Sequence, residues 1–366
     1  MPITYENTIT VITNGISEDA FSVGGDTGYI EVVSVATNDF MYKFEEGENG
    51  RLNYSVTANN CTFKDFIEGT MAEDNDPKTL SLTKDMVYED KDDNCADSGE
   101  VTQSNSELTV NLNGNTLKAA DGVSNMTLAV ANEKTLNING GSSAGIKGKV
   151  DDKMTLDIAE GGALNIDGNI ELDSMIKNAG DISVSGTADI DGNITNDGTV
   201  ITSGTTDFNG DVVSDGIISI SGMTNIDGNI VNDGTISTSG TTNINGNITN
   251  NSDGEITFAG TINVNNSLTG DGSYINNGTM NVSDAGKLAM TSDDGLTNTG
   301  DLNLGGGTLN VDVAGSGNLN VNGAVTSNSD IENKVAITDA GTLTNNGNIT
   351  GDITNDGTFV NNGQLD

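Results

Sequence analysis

Four consecutive stretches decide the fold: DISVSGTADIDGNITNDG (181–198), TVITSGTTDFNGDVVSDG (199–216), IISISGMTNIDGNIVNDG (217–234) and TISTSGTTNINGNITN (235–250). Each is a copy of one 18-residue unit made of three hexads, with glycine at positions 6, 12 and 18; the fourth copy reaches its closing Gly254 two residues late. A unit this short cannot bury a face alone. Copies must stack and share one continuous core.

Side-chain parity gives the local structure. Position 2 is Ile182, Val200, Ile218 and Ile236; position 10 is Ile190, Phe208, Ile226 and Ile244; position 14 is Ile194, Val212, Ile230 and Ile248. All are even, and the odd positions carry mostly Asp, Asn, Ser and Thr. Alternate residues of a strand point to opposite faces, so the even set faces inward. One coil therefore has three short strands and three glycine corners, a triangular section, and coils pair in parallel about 4.8 Å apart. The corners call for glycine because the chain needs either an unusual φ or a close approach that a Cβ opposes. An α-helix is excluded by the period of two and by the cost of so many interior glycines, about 1 kcal/mol each. Position 8, Ala188 followed by Thr206, Thr224 and Thr242, makes the core thin. Position 16 (Asn196, Ser214, Asn232, Asn250, with Asn178 one coil earlier) points inward at a corner and predicts a buried ladder that fixes register.

Outward from this centre the pattern loosens. SELTVNLNGNTL (106–117), MTLAVANEKTLNING (126–140) and MTLDIAEGGALNIDG (154–168) predict longer coils; beyond 272 hexads such as SYINNG (273–278) and TFVNNG (358–363) persist without strict phase. The expected organisation is an N-terminal β cap or small β domain over 1–104 and a parallel β-helix over 105–366, most regular at 163–272. The first hundred residues hold five of the six tyrosines, both cysteines and both prolines, with β-like runs at 7–12, 29–35, 40–44, 52–57 and 79–81. The chain stops in mid-pattern at Asp366, which predicts that the natural protein continues.

Charge narrows the function. The 54 acidic and 14 basic residues leave a formal charge of -40, with no histidine and no basic residue between Lys177 and Lys287. Nucleic acid is excluded as a partner and an anionic membrane surface is disfavoured, because both need cationic contacts; divalent cations, cationic partners and neutral glycans stay open. No stretch is long and apolar enough to span a bilayer, and the N-terminus lacks the basic and apolar regions of a signal peptide.

The same composition argues against an enzyme. Without histidine there is no Ser-His-Asp or Cys-His set. Asp189, Asp191, Asp207, Asp227 and Asp233 project as stacked acids, the arrangement a glycoside hydrolase uses, but acids at outward positions are what solubilises a repeat. No cofactor is implied. Calcium is the one metal candidate, at the acidic run holding Asp90, Asp92, Asp93 and Asp97, which lacks the sixth-position glycine and closing glutamate of a helix-loop-helix site. Cys61 and Cys95 are a candidate disulfide in an oxidising compartment and two free thiols otherwise. An aromatic sugar platform along the coils is not expected; Tyr29, Phe40, Tyr42, Phe44 and Tyr54 make the first hundred residues the better place for one.

NLNGNTLKAADG (111–122), TLNING (135–140), ALNIDG (163–168) and the many NDGT and NNGT hexads resemble the passenger regions of bacterial autotransporter and haemagglutinin-type surface proteins, over roughly 105–366. The resemblance implies a right-handed parallel β-helix and export to the bacterial cell surface or beyond, with leader and membrane anchor outside this chain. It also implies adhesion or aggregation, through a host or neighbouring-cell protein, a glycan, or a second copy. It carries over no functional residue, since the shared positions are scaffold positions. The expected function is thus a non-enzymatic scaffold or adhesin stalk. The alternatives are a self-assembling surface-layer or filament subunit and a polysaccharide-binding or polysaccharide-degrading solenoid; an ice-binding face is disfavoured because Met223 interrupts the outward threonines Thr187, Thr205 and Thr241.

Overall fold

The computed structural model describes residues 22–24, 40–47, 51–58, 67, 79–81, 86–88, 100–103, 106–119, 126–141, 148–150, 154–284, 286–291 and 295–366. The chain divides into two compact units, Met1–Gly180 and Asp181–Asp366.

The first unit holds two kinds of β structure. Phe40–Gly47 and Arg51–Ala58 form an antiparallel hairpin, and Ser22–Gly24 pairs with the free side of the second strand. Parallel coils begin at Thr79, inside the stretch that the sequence reads as a cap. Thr79–Ser81, Glu107–Asn111, Thr135–Asn139 and Ala163–Asp167 stack as a first face. Met86–Tyr88, Thr116–Ala119, Gly148–Val150 and Asn169–Leu172 make a second. Glu100–Thr102, Met126–Val130, Met154–Ile158 and Met175–Asn178 make a third. Successive strands of the first face are 30, 28 and 28 residues apart. The larger perimeter is filled by larger side chains: Leu108, Leu136 and Leu164 stack in register, as do Leu128, Leu156 and Ile176, all buried. The runs at 7–12 and 29–35 lie outside the described residues.

The second unit is the regular solenoid, with three parallel faces. The first runs from Asp181–Val184 to Val313–Ala314, the second from Thr187–Ile190 to Ile353–Asn355, and the third from Ile194–Asn196 to Thr358–Asn361. Inward and outward sides alternate as the even-odd parity requires. Coil length then varies while pairing persists: 18 residues at Asn232 and Asn250, 20 at Asn243 and Asn263, 22 at Asn276 and Asn298, and 17 at Asn303 and Asn320. The two extra residues before Gly254 are absorbed at a corner, where the Gly254 N–H donates to the Asn251 carbonyl at 2.8 Å. Insertions go to corners because a strand residue added anywhere else would reverse the parity of its whole face.

The corner glycines act by close approach. In the file Gly204, Gly222, Gly240, Gly260, a Cβ would overlap the carbonyl oxygen of the glycine one coil earlier, and none of the four is left-handed. Two features weaken the core. An apolar void of about 10 Å³ sits beside Phe208, whose ring replaces isoleucine between Ile190 and Ile226. Thr206, Thr224 and Thr242 stack inward, fully buried, with hydroxyls that have no hydrogen-bond partner. No helix among the described residues is long and apolar enough to cross a membrane.

Candidate functional site

Polar side chains form two systems of files, one inside the coil and one outside. The inner system contains the asparagines singled out by parity. Asn178, Asn196, Asn232 and Asn250 are all buried. They link in short groups. Asn196 Nδ2 donates to Ser214 Oγ at 3.1 Å, and Asn232 Nδ2 donates to Asn250 Oδ1 at 2.7 Å and to the Gly234 carbonyl at 2.9 Å. Asn250 Nδ2 in turn donates to the carbonyls of Gly254 and Ser273. Asn178 Oδ1 accepts from the Gly180 N–H at 3.2 Å, closing its own corner. Each amide thus ties a turn backbone in place. The file then moves to the first face, where Asn276 follows Phe258 in register and donates to Asn298 Oδ1 at 2.7 Å.

The outer system lies on the second face of the second unit and was not anticipated. Asp207, Asn225, Asn243, Asn263, Asn281, Asn303 and Asn320 occupy one outward position in successive coils. Each asparagine donates its Nδ2 to the Oδ1 of the residue one coil earlier, at 2.6–2.9 Å throughout. A shorter file runs beside it at the corner: Asn245 donates to Asp227 and Asn265 to Asn245. A third corner carries Asn193, Asp211 and Asn229, whose Oδ1 atoms accept the backbone N–H of Asp211, Asn229 and Asn247 one coil later. One signal was available in the sequence: the same residue type at one odd position, copy after copy. Reading odd positions only as solvated surface concealed it.

Between Thr241 and Ser283 the second face carries no charge. Its outward residues are Thr241, Asn243 and Asn245, then Thr261, Asn263 and Asn265, then Thr279, Asn281 and Ser283. A shallow, open groove of about 440 Å³ lies along them, lined by Asn243, Asn263, Asn265, Asn281, Asn303 and Asn322. In a chain of formal charge -40 this neutrality is a local exception. Further along the first face, the Tyr274 phenol is buried and donates to the Thr269 carbonyl at 2.8 Å; burial pushes its pKa far up.

Asp90, Asp92, Asp93 and Asp97, the calcium candidates, lie outside the described residues, as do Cys61 and Cys95. Of the outward acids, Asp207 and Asp227 accept from asparagine amides at 2.6 Å, which assigns them to ladders. Comparison with protein-family models, curated proteins and solved structures finds no match.

Proposed function

We propose that this chain is a non-enzymatic scaffold of a bacterial cell surface, an adhesin stalk whose stacked coils carry or present a binding surface away from the cell. The observation that carries this reading is the continuity of the parallel ladders within the second unit. There the geometry repeated from coil to coil goes into stacking: aliphatic files, glycine corners and asparagine ladders. The absence of histidine from the sequence and the outward placement of the acids support a role without catalysis. The passenger-like hexads support export.

Protease shaving of intact source cells, with an antibody against residues 181–366, tests the display. Digestion of the epitope on unbroken cells is the expected result; protection until lysis overturns it. Electron microscopy of the purified chain, with and without calcium, separates a stalk from a lattice subunit. Dispersed particles in both conditions fit the stalk, and calcium-dependent sheets or filaments replace it with the surface-layer alternative. Release of reducing ends from polysaccharides would overturn the non-enzymatic reading.

A further inference from the structure

The uncharged groove of the second face has properties of a binding surface that a stalk does not require. Its amides are held in place before any ligand arrives. Asn243, Asn263, Asn281 and Asn303 each donate one N–H to the coil before and accept one bond from the coil after. A primary amide has two donors and two lone pairs, so each of these retains one N–H and one lone pair for an outside partner. The retained groups recur once per coil, at about 4.8 Å, and all point the same way because the ladder bonds all run the same way.

We propose that this groove binds a neutral, polyhydroxylated chain: a linear, uncharged polysaccharide lying along the coil axis over Asn243, Asn263, Asn281 and Asn303. Hydroxyl groups offer a donor and an acceptor together, which matches what each amide retains. One pyranose unit of an extended chain is close in length to one coil step, so successive sugars meet successive coils. Charge excludes the rival ligands. A polyanion meets a protein of formal charge -40 and no lysine or arginine in the groove. A polycation is drawn instead to the neighbouring acidic copies at 181–234. An apolar partner finds amides and hydroxyls where it needs aliphatic surface. The groove has no aromatic platform, so each sugar binds weakly and affinity accumulates over several coils. Fixed amides lose little side-chain freedom on binding, which favours such additive contacts. This assignment stands apart from surface display: a glycan can bind the groove wherever the protein resides.

The test is titration calorimetry of the full chain with cellohexaose, mannohexaose and maltohexaose, with their disaccharides, and with hexagalacturonate. Saturable binding of at least one neutral hexasaccharide is expected, at least tenfold tighter than its disaccharide and than hexagalacturonate. Asn263→Asp with Asn265→Asp should weaken it tenfold or more. Aspartate already occupies both files, at Asp207 and Asp227, so the fold tolerates it there. Thr249→Asp, outward on the third face, should leave binding unchanged. If the double variant fails to fold, Asn265→Asp alone should weaken binding at least threefold. The proposal is overturned if no neutral hexasaccharide saturates at millimolar concentration, if hexagalacturonate binds as tightly, or if both variants behave alike. It is also overturned if sedimentation shows that the groove variants instead abolish a dimer of the chain. Failure here leaves the stalk reading intact, since protease shaving reads display without reference to any glycan.

Discussion

Two kinds of buried polar side chain occupy the second unit, and they should respond to substitution with opposite signs. Asn232 donates two hydrogen bonds, to Asn250 and to the Gly234 carbonyl. Asn232→Ala leaves the buried Asn250 Oδ1 unpaired, while the Gly234 carbonyl keeps the Glu255 N–H, so a loss of about 1–3 kcal/mol is expected in chemical denaturation; a change within error would mean the corner is wet. Thr224 is equally buried but its hydroxyl has no partner. Thr224→Val keeps the shape and removes the unpaired group, so a gain of about 1 kcal/mol is expected from the same measurement. A loss instead would show that the inward threonine file is hydrogen-bonded in solution. Parity alone placed both residues inside. It could not distinguish them, because whether a polar atom finds a partner depends on the residue one coil away and on the shape of the corner.

At the scale of the strand and corner, the glycines separate conformational need from close approach. Both reasons were open from the sequence. Stacking decides between them: at Gly222 the Gly204 carbonyl already occupies the space a Cβ would take, and the backbone conformation is an ordinary one. Gly222→Ala should therefore force the two coils apart and lower the melting temperature by several degrees. By contrast Ser221→Ala, at the exposed neighbour whose hydroxyl donates to the Thr202 carbonyl at 3.1 Å, should cost little. Equal effects would remove the close-approach explanation. What is legible at this scale is the strict period, whose parity over 181–250 holds residue by residue; outside it, the short β-like run at 79–81 is also a strand. What was not legible follows from the same physics. In the 28-residue coils the strands are joined by longer segments, in which the alternation lapses, so neither the coil length nor the pairing could be phased. The outward asparagine ladder of the groove shows only when copies are compared, since its bonds join residues 17 to 22 positions apart that look like ordinary surface in any single copy.

For the whole molecule, electrostatics set the conditions under which the coils hold. The chain carries 54 acidic residues against 14 basic ones, and its regular copies from 181 to 250 contain no lysine or arginine. Acids at corner positions recur coil after coil, as at Asp197, Asp215 and Asp233, so parallel stacking brings like charges within about 5 Å steps of one another. Folding gathers these charges and unfolding disperses them, so their repulsion opposes the stacked state. Salt shortens its reach to about 10 Å at 0.1 M, and further at higher concentration. The melting temperature should therefore rise by a few degrees as sodium chloride is raised from about 10 mM to about 500 mM, and potassium chloride should do the same, since screening depends on ionic strength and not on identity. Calcium at matched ionic strength separates screening from a site. A bound ion stabilises by mass action and saturates, whereas screening changes smoothly with concentration. The ladders already engage Asp207, Asp211 and Asp227 as acceptors of amide N–H groups, which partly neutralises these acids without a cation. Calcium is thus expected to match sodium. A saturable isotherm with Kd below about 100 μM, tighter than most extracellular calcium modules, would overturn that expectation and make Asp90, Asp92, Asp93 and Asp97 the first residues to replace.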